Sequence, residues 1–156
     1  MKKEMDSMNR ILDKFRRQCS RREYCSSDIF KKAIKDFEGD AGKAAQVVQT
    51  LVEEKYVDDR RYAEAYAREK SSISGWGEVK IRYALSARNI PADTISEALS
   101  AIDVGKAGLR LEKLLDNKYR TLKDDPQWKL KMIRFALGRG YSYDEVQEQI
   151  TRLSSK

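Results

Sequence analysis

The chain of 156 residues carries 32 Lys and Arg against 25 Asp and Glu, a net charge of +7, and no histidine. Lack of histidine excludes Ser-His-Asp hydrolysis and His-ligated metal chemistry, and removes the commonest general base near neutral pH; two cysteines alone cannot build an ordinary zinc site. No apolar run reaches the length of a membrane span, and no apolar stretch follows the charged opening residues as in a signal peptide, so a cytoplasmic protein with Cys19 and Cys25 as free thiols is expected.

Two prolines and eight glycines in a chain that is 40% hydrophobic favour helices over a turn-rich β fold. The periodicity agrees from end to end. Met5, Met8, Leu12, Phe15 and Cys19 recur at three-and-four spacing and predict a helix over 5–20. Ile29, Ala33, Ile34 and Phe37 predict 27–38, with Ser26 and Ser27 as capping residues; Ala44, Val47, Val48, Leu51 and Val52 predict 43–56. Tyr62 and Tyr66 lie on a helix over 59–72, Ile81 and Leu85 on 78–89, and Ile95, Ala98, Leu99 and Ile102 on 92–102, with Pro91 suited to its first turn. Leu111, Leu114, Leu115 and Leu122 predict 105–121, and Trp128, Met132, Phe135 and Ala136 predict 127–139. Val146, Ile150 and Leu153 predict 143–153, opened by a Ser142–Glu145 capping box. No segment shows sustained strand alternation.

The nine predicted helices group by three. Sliding the chain by 51 residues lays Leu85–Ile90 on Ala136–Tyr141, Asp93 on Asp144, Ile95 on Val146 and Leu99 on Ile150. Such a period reads as a tandem array of small units that stack to bury their apolar faces. The expected fold is all-α: three tandem three-helix repeats at 1–57, 58–103 and 104–156, forming an elongated, curved array. Charge is uneven along it. Residues 1–35 carry 11 basic and 5 acidic side chains, 36–103 carry 9 and 13, and 104–139 carry 10 and 4, a distribution consistent with phosphate contacts at both basic stretches.

The most informative stretch is Tyr56-Val57-Asp58-Asp59-Arg60-Arg61-Tyr62-Ala63, followed by Tyr66 and Gly75-Trp76-Gly77. The carboxylates suit a helix N-terminus, where they accept backbone N–H bonds and complement the dipole; the two guanidinium groups gain nothing from it. Gly75-Trp76-Gly77 lacks the Lys-Ser/Thr ending of a phosphate-binding loop and follows no strand, so it reads as a helix-entry turn.

With Ile81 added, this run resembles the central motif of the RecX family of regulatory proteins. Arg134-Phe135-Ala136-Leu137-Gly138-Arg139-Gly140-Tyr141-Ser142-Tyr143-Asp144 resembles the family's third repeat, and Ser20-Arg21-Arg22-Glu23-Tyr24 is similar to its first. The resemblance covers roughly residues 8–153. It departs at Lys55, where the family usually has glycine before the aromatic-aliphatic pair, and at Glu38–Lys43, an atypical turn.

The resemblance implies a non-enzymatic negative modulator of the RecA recombinase that lodges in the groove of the RecA–single-stranded-DNA filament. It would inhibit filament growth, ATP hydrolysis, strand exchange and coprotease activity. The implied partners are RecA protein and single-stranded DNA, bound weakly and without sequence preference, with duplex DNA as a second form; the protein would act as a monomer without a cofactor. Carried over position by position, Asp58, Asp59, Arg60, Arg61 and Trp76 are the candidates for the protein partner. The DNA candidates are Lys80, Arg82, Arg88, Lys129, Lys131, Arg134 and Arg139. The competing expectation is an autonomous helix-turn-helix-like DNA-binding protein or transcription factor, using the basic helix after Asp124-Asp125-Pro126.

Overall fold

The computed structural model describes residues 2–155, and among these all regular structure is helical. Nine helices follow in chain order: α1 (Lys2–Arg21), α2 (Ser26–Asp36), α3 (Ala41–Glu53), α4 (Asp59–Ser72), α5 (Glu78–Ser86), α6 (Ala92–Ser100), α7 (Val104–Leu122), α8 (Trp128–Gly138) and α9 (Tyr143–Ser154). They are three-helix sets in tandem. None is long and apolar enough to cross a membrane among the described residues.

The helix ends follow from their residues. Asp40 caps α3 by accepting the Lys43 amide at 3.1 Å, and Asp103 caps α7 through Lys106 at 3.0 Å. The predicted capping box at α9 is present in both directions: Ser142 Oγ accepts from Glu145 N, and Glu145 Oε2 accepts from Ser142 N. Pro91 is the residue before α6 rather than its first. Helix α3 stops at Glu53, short of the expected 56, because Lys55 adopts φ 66°. There the Lys55 amide bonds to Val52 O and the Tyr56 amide to Leu51 O, a Schellman closure. The same closure ends α2 around Glu38 (φ 52°) and α8 around Gly140 (φ 95°). Glu38, Asn89 and Gly140 are evenly spaced along the chain, each follows the second helix of its set, and all three have positive φ. The period read from side chains therefore recurs in the backbone.

The chain divides into two compact units, one running to Ala65 together with Arg88–Ile90, the other holding Tyr66–Ala87 and the residues from Pro91 on. In the first, α2 and α3 pack on each other and on α1. Phe15, Ile29, Ala33, Ala44, Val47 and Leu51 are wholly buried there, with Val57 closing the cluster. Alanine at 33 and 44 lets the helices approach closely. Cys19 and Cys25 are buried free thiols of this unit. In the second unit α7, α8 and α9 pack mutually around Leu115, Met132, Ala136, Val146 and Leu153. Trp128 lies against this core, edge-on to Tyr119 at 5.0 Å, as the stripe on α8 predicts.

Candidate functional site

The charged signature at the start of α4 is mostly engaged within the first unit. Asp58 Oδ1 accepts the Arg61 amide at 3.1 Å, capping α4. Asp59 reaches elsewhere: its Oδ1 accepts the Ser26 amide at 2.7 Å, at the head of α2. The capping position of α2 falls on Cys25, which makes no side-chain cap bond. Neither Ser26 nor Ser27 caps the helix, because both already lie inside it. The Arg61 guanidinium donates to Glu23 Oε2 at 2.7 Å and to the carbonyls of Lys55 and Tyr56 at 3.2 and 3.3 Å. The Glu23 bond holds its pKa above the ordinary guanidinium value. Arg61 thus secures the chain between α3 and α4. Arg60 points outward, its side chain 68% exposed beside Glu64 at 3.5 Å. Arg88, in the same unit, faces Asp28 at 3.9 Å.

In the second unit two motifs far apart in sequence interlock. The Gly77 amide donates to Arg139 O at 2.8 Å, and the Val79 amide to Gly140 O at 2.9 Å. Arg139 Nη1 donates to Ser74 O, and Tyr141 Oη to Gly75 O at 3.0 Å. The segments touch backbone to backbone: a Cβ at Gly77 would meet Gly140 O at 2.4 Å, and one at Gly140 would meet Lys80 Cβ at 2.2 Å. Glycine is required at both positions for close approach, and at Gly140 also for its left-handed φ. Burial raises the Tyr141 phenol above its ordinary pKa.

This interlock presents Trp76, half-buried, with Tyr66 edge-on at 6.3 Å. Lys70 Nζ lies 4.8 Å and Lys80 Nζ 4.5 Å from the indole centroid. An indole between two ammonium groups is a cation–π assembly with positive charge beside an aromatic surface, the combination that suits a phosphate chain with bases to stack or an acidic protein surface. The structure brings Trp76, Lys80 and Arg139 to one place. Lys70 was absent from the sequence expectations, although Tyr66 and Lys70 at i,i+4 on α4 gave a signal for it.

The remaining candidates are spread over the same unit. Arg82 is held by Glu78 at 3.1 Å and Ser96 at 3.2 Å. On α8, Lys129 lies over Trp128 at 5.7 Å, Lys131 pairs with Asp125, and Arg134 is exposed. The Lys131 bond, with the Gln127 amide, lowers the Asp125 pKa below the usual carboxylate range. Among the described residues no cluster of three His, Cys, Asp or Glu could hold a metal. The assembled groups are donors, cations and aromatic faces, suited to recognition.

Comparison with known proteins places the chain in a family. Residues 58–99 match the family model for the second three-helix domain of RecX, and residues 110–150 match that for the third; together they make up more than half of the chain. The chain is 34% identical over 129 residues to the regulatory protein RecX of Clostridium perfringens, covering 80% of this chain and 59% of that protein. It is 29% identical over 141 residues to RecX of Pectobacterium atrosepticum, covering 85% and 86%. The chain thus spans only 59% of the Clostridium relative's length. In fold it is similar to the crystal structure of RecX from Lactobacillus salivarius, with a TM-score of 0.81 at 18% identity, covering 97% and 99% of the two chains. A second RecX crystal structure also superposes with a TM-score of 0.81, at 21% identity, covering 92% and 71%. The glycines, tryptophan and arginines that lace α5 to the end of α8 lie within the two matched segments, and the chain belongs to the RecX family of regulatory proteins.

Proposed function

We propose that this chain is a non-enzymatic negative modulator of the RecA recombinase. It binds in the groove of the RecA–single-stranded-DNA filament and inhibits filament growth, ATP hydrolysis, strand exchange and coprotease activity. The observation that carries this reading is family membership resting on two matched segments in the family's order. The assembled cations and aromatics are compatible with it, since backbone phosphates are bound by Lys and Arg without sequence information.

Within this reading the repeats are bounded at 1–57, 58–103 and 104–156. Arg60 and Trp76 contact the protein partner, and Lys80, Lys129 and Arg134 follow the DNA. Asp58, Asp59 and Arg61 act indirectly by holding the start of α4 and the neck of α2 in place.

The test is the single-stranded-DNA-stimulated ATPase of the cognate RecA, titrated with wild-type protein and with Arg60→Ala. Substoichiometric inhibition that weakens in the folded variant supports both the function and the contact. An unchanged ATPase across a full titration with folded protein sinks the inhibitory reading.

A further inference from the structure

The second unit contains a cleft of about 310 Å³ lined by residues of α5, α6, α7 and α9. Its floor is apolar, built from Ile81, Leu99, Ile102 and Leu111. Its charged lining consists of carboxylates: Glu78, Glu145 and Glu148, with no Lys or Arg among the lining residues. Arg110 donates to Ser71 Oγ at 2.8 Å and lies near Tyr141, without itself lining the cleft. In a protein of net charge +7, an apolar hollow edged by carboxylates repels a phosphate chain and attracts a cation.

A second observation concerns α7, which forms one wall. Val104, on that wall, is 86% exposed. Gly108 also lines the cleft from within α7, where glycine costs about 1 kcal/mol relative to alanine. Nothing lies within 4 Å of a Cβ built on Gly108, and its φ is not in the left-handed range. No contact within the chain therefore requires glycine there. A partner's backbone passing close to α7 would.

We propose that this cleft is a docking site for a basic amphipathic helix of a partner protein, one that places apolar side chains on the floor and Lys or Arg against Glu78 and Glu148. The occupant is set by charge complementarity with the rim and by close helix approach at Gly108. The cleft borders the Lys70–Trp76–Lys80 assembly through Trp76, but its fit to a basic helix rests on the apolar floor and the carboxylates and not on the RecA reading. Glu145 is engaged in the α9 capping box and Glu78 faces Arg82, so Glu148 is the principal carboxylate that meets the partner, and Glu78 meets it while shared with Arg82.

The experiment uses the full chain with Trp128→Phe, leaving Trp76, which lines the cleft, as the sole reporting indole. It is titrated with a tryptophan-free helical peptide bearing Leu along one face and Lys on both flanks, and with its counterpart in which Glu replaces every Lys. The Lys peptide should shift Trp76 emission saturably and the Glu peptide should not. Glu78→Lys with Glu148→Lys should reverse the preference by roughly tenfold. Gly108→Ala should raise the unfolding midpoint yet weaken the Lys peptide, a combination that a merely structural glycine would not give. Calorimetric titration of the unsubstituted chain with the Lys peptide should give the same binding constant. Equal binding of both peptides, or of neither, overturns the proposal. So does self-association lost in Glu148→Lys without peptide binding, which would give the cleft to a second copy. A saturable response to single-stranded DNA with none to the peptide would likewise overturn it.

Discussion

Asp59 Oδ1 accepts the backbone amide of Ser26 at 2.7 Å, so a residue at the head of α4 supplies the N-cap that α2 lacks. The aspartate pair has divided roles, Asp58 capping its own helix and Asp59 another. Asp59→Ala should lower stability by about 1–2 kcal/mol, the usual cost of a lost cap, measured as a drop in the urea midpoint. Asp59→Asn, which keeps an acceptor, should recover most of the loss.

Arg61 and Arg60 are expected to separate cleanly. Arg61→Ala removes an ion pair and two carbonyl contacts, and because the guanidinium is 43% exposed the expected loss is only about 1 kcal/mol. Arg60→Ala should leave thermal unfolding unchanged. A large loss of stability in Arg60→Ala would contradict its outward placement.

Lys55 occupies the left-handed position that closes α3, with φ 66°. A non-glycine residue there is strained, and glycine relieves it at some cost in unfolded-state entropy. Lys55→Gly should therefore stabilise the protein by about 0.5–1 kcal/mol. Equal or lower stability would mean that the lysine side chain contributes more than its backbone costs.

Gly77→Ala drives a methyl group into the Gly140–Tyr141 peptide, backbone that cannot swing aside. It should destabilise the second unit by about 2–3 kcal/mol. Gly39→Ala meets no neighbour within 4 Å and has only its positive φ to contend with, so it should cost less. Equilibrium unfolding of the two variants side by side provides the comparison.

Burial raises the pKa of Cys19 and of Cys25 above their ordinary 9.0. The folded chain keeps protons that the unfolded chain releases, so this contribution is intact below about pH 9 and is lost progressively as pH rises toward the folded values. Stability should decline on the alkaline side, and Cys19→Ala with Cys25→Ala should flatten that decline in unfolding measured from pH 8 to 10. The native thiols should react slowly with a disulfide reagent at neutral pH.

Most of the fold was legible in the sequence because it rests on local rules. The apolar stripes placed every helix to within a few residues, and Ser142 with Glu145 predicted a box that is there. The α3 end was misjudged because Lys55 gives no compositional sign of a left-handed turn, although its departure from the family's glycine marked the position. The site was less legible. The sequence offered Trp76, Lys80 and Arg139 as separate candidates, and only tertiary folding joins them through Gly77 and Gly140. Asp59 bonds to a residue 33 positions away, a distance no periodicity reports.

The interlock also has a temporal consequence. Gly77 leaves the ribosome well before Gly140, because synthesis proceeds at about 5–20 residues per second. Until the later segment arrives, the amides of Gly77 and Val79 have no Arg139 or Gly140 carbonyl to meet, and the indole beside them has an unfinished seat. The entry to α5 is therefore completed by a stretch of chain made seconds after it, and the surface around Trp76 is assembled only when the end of α8 is in place.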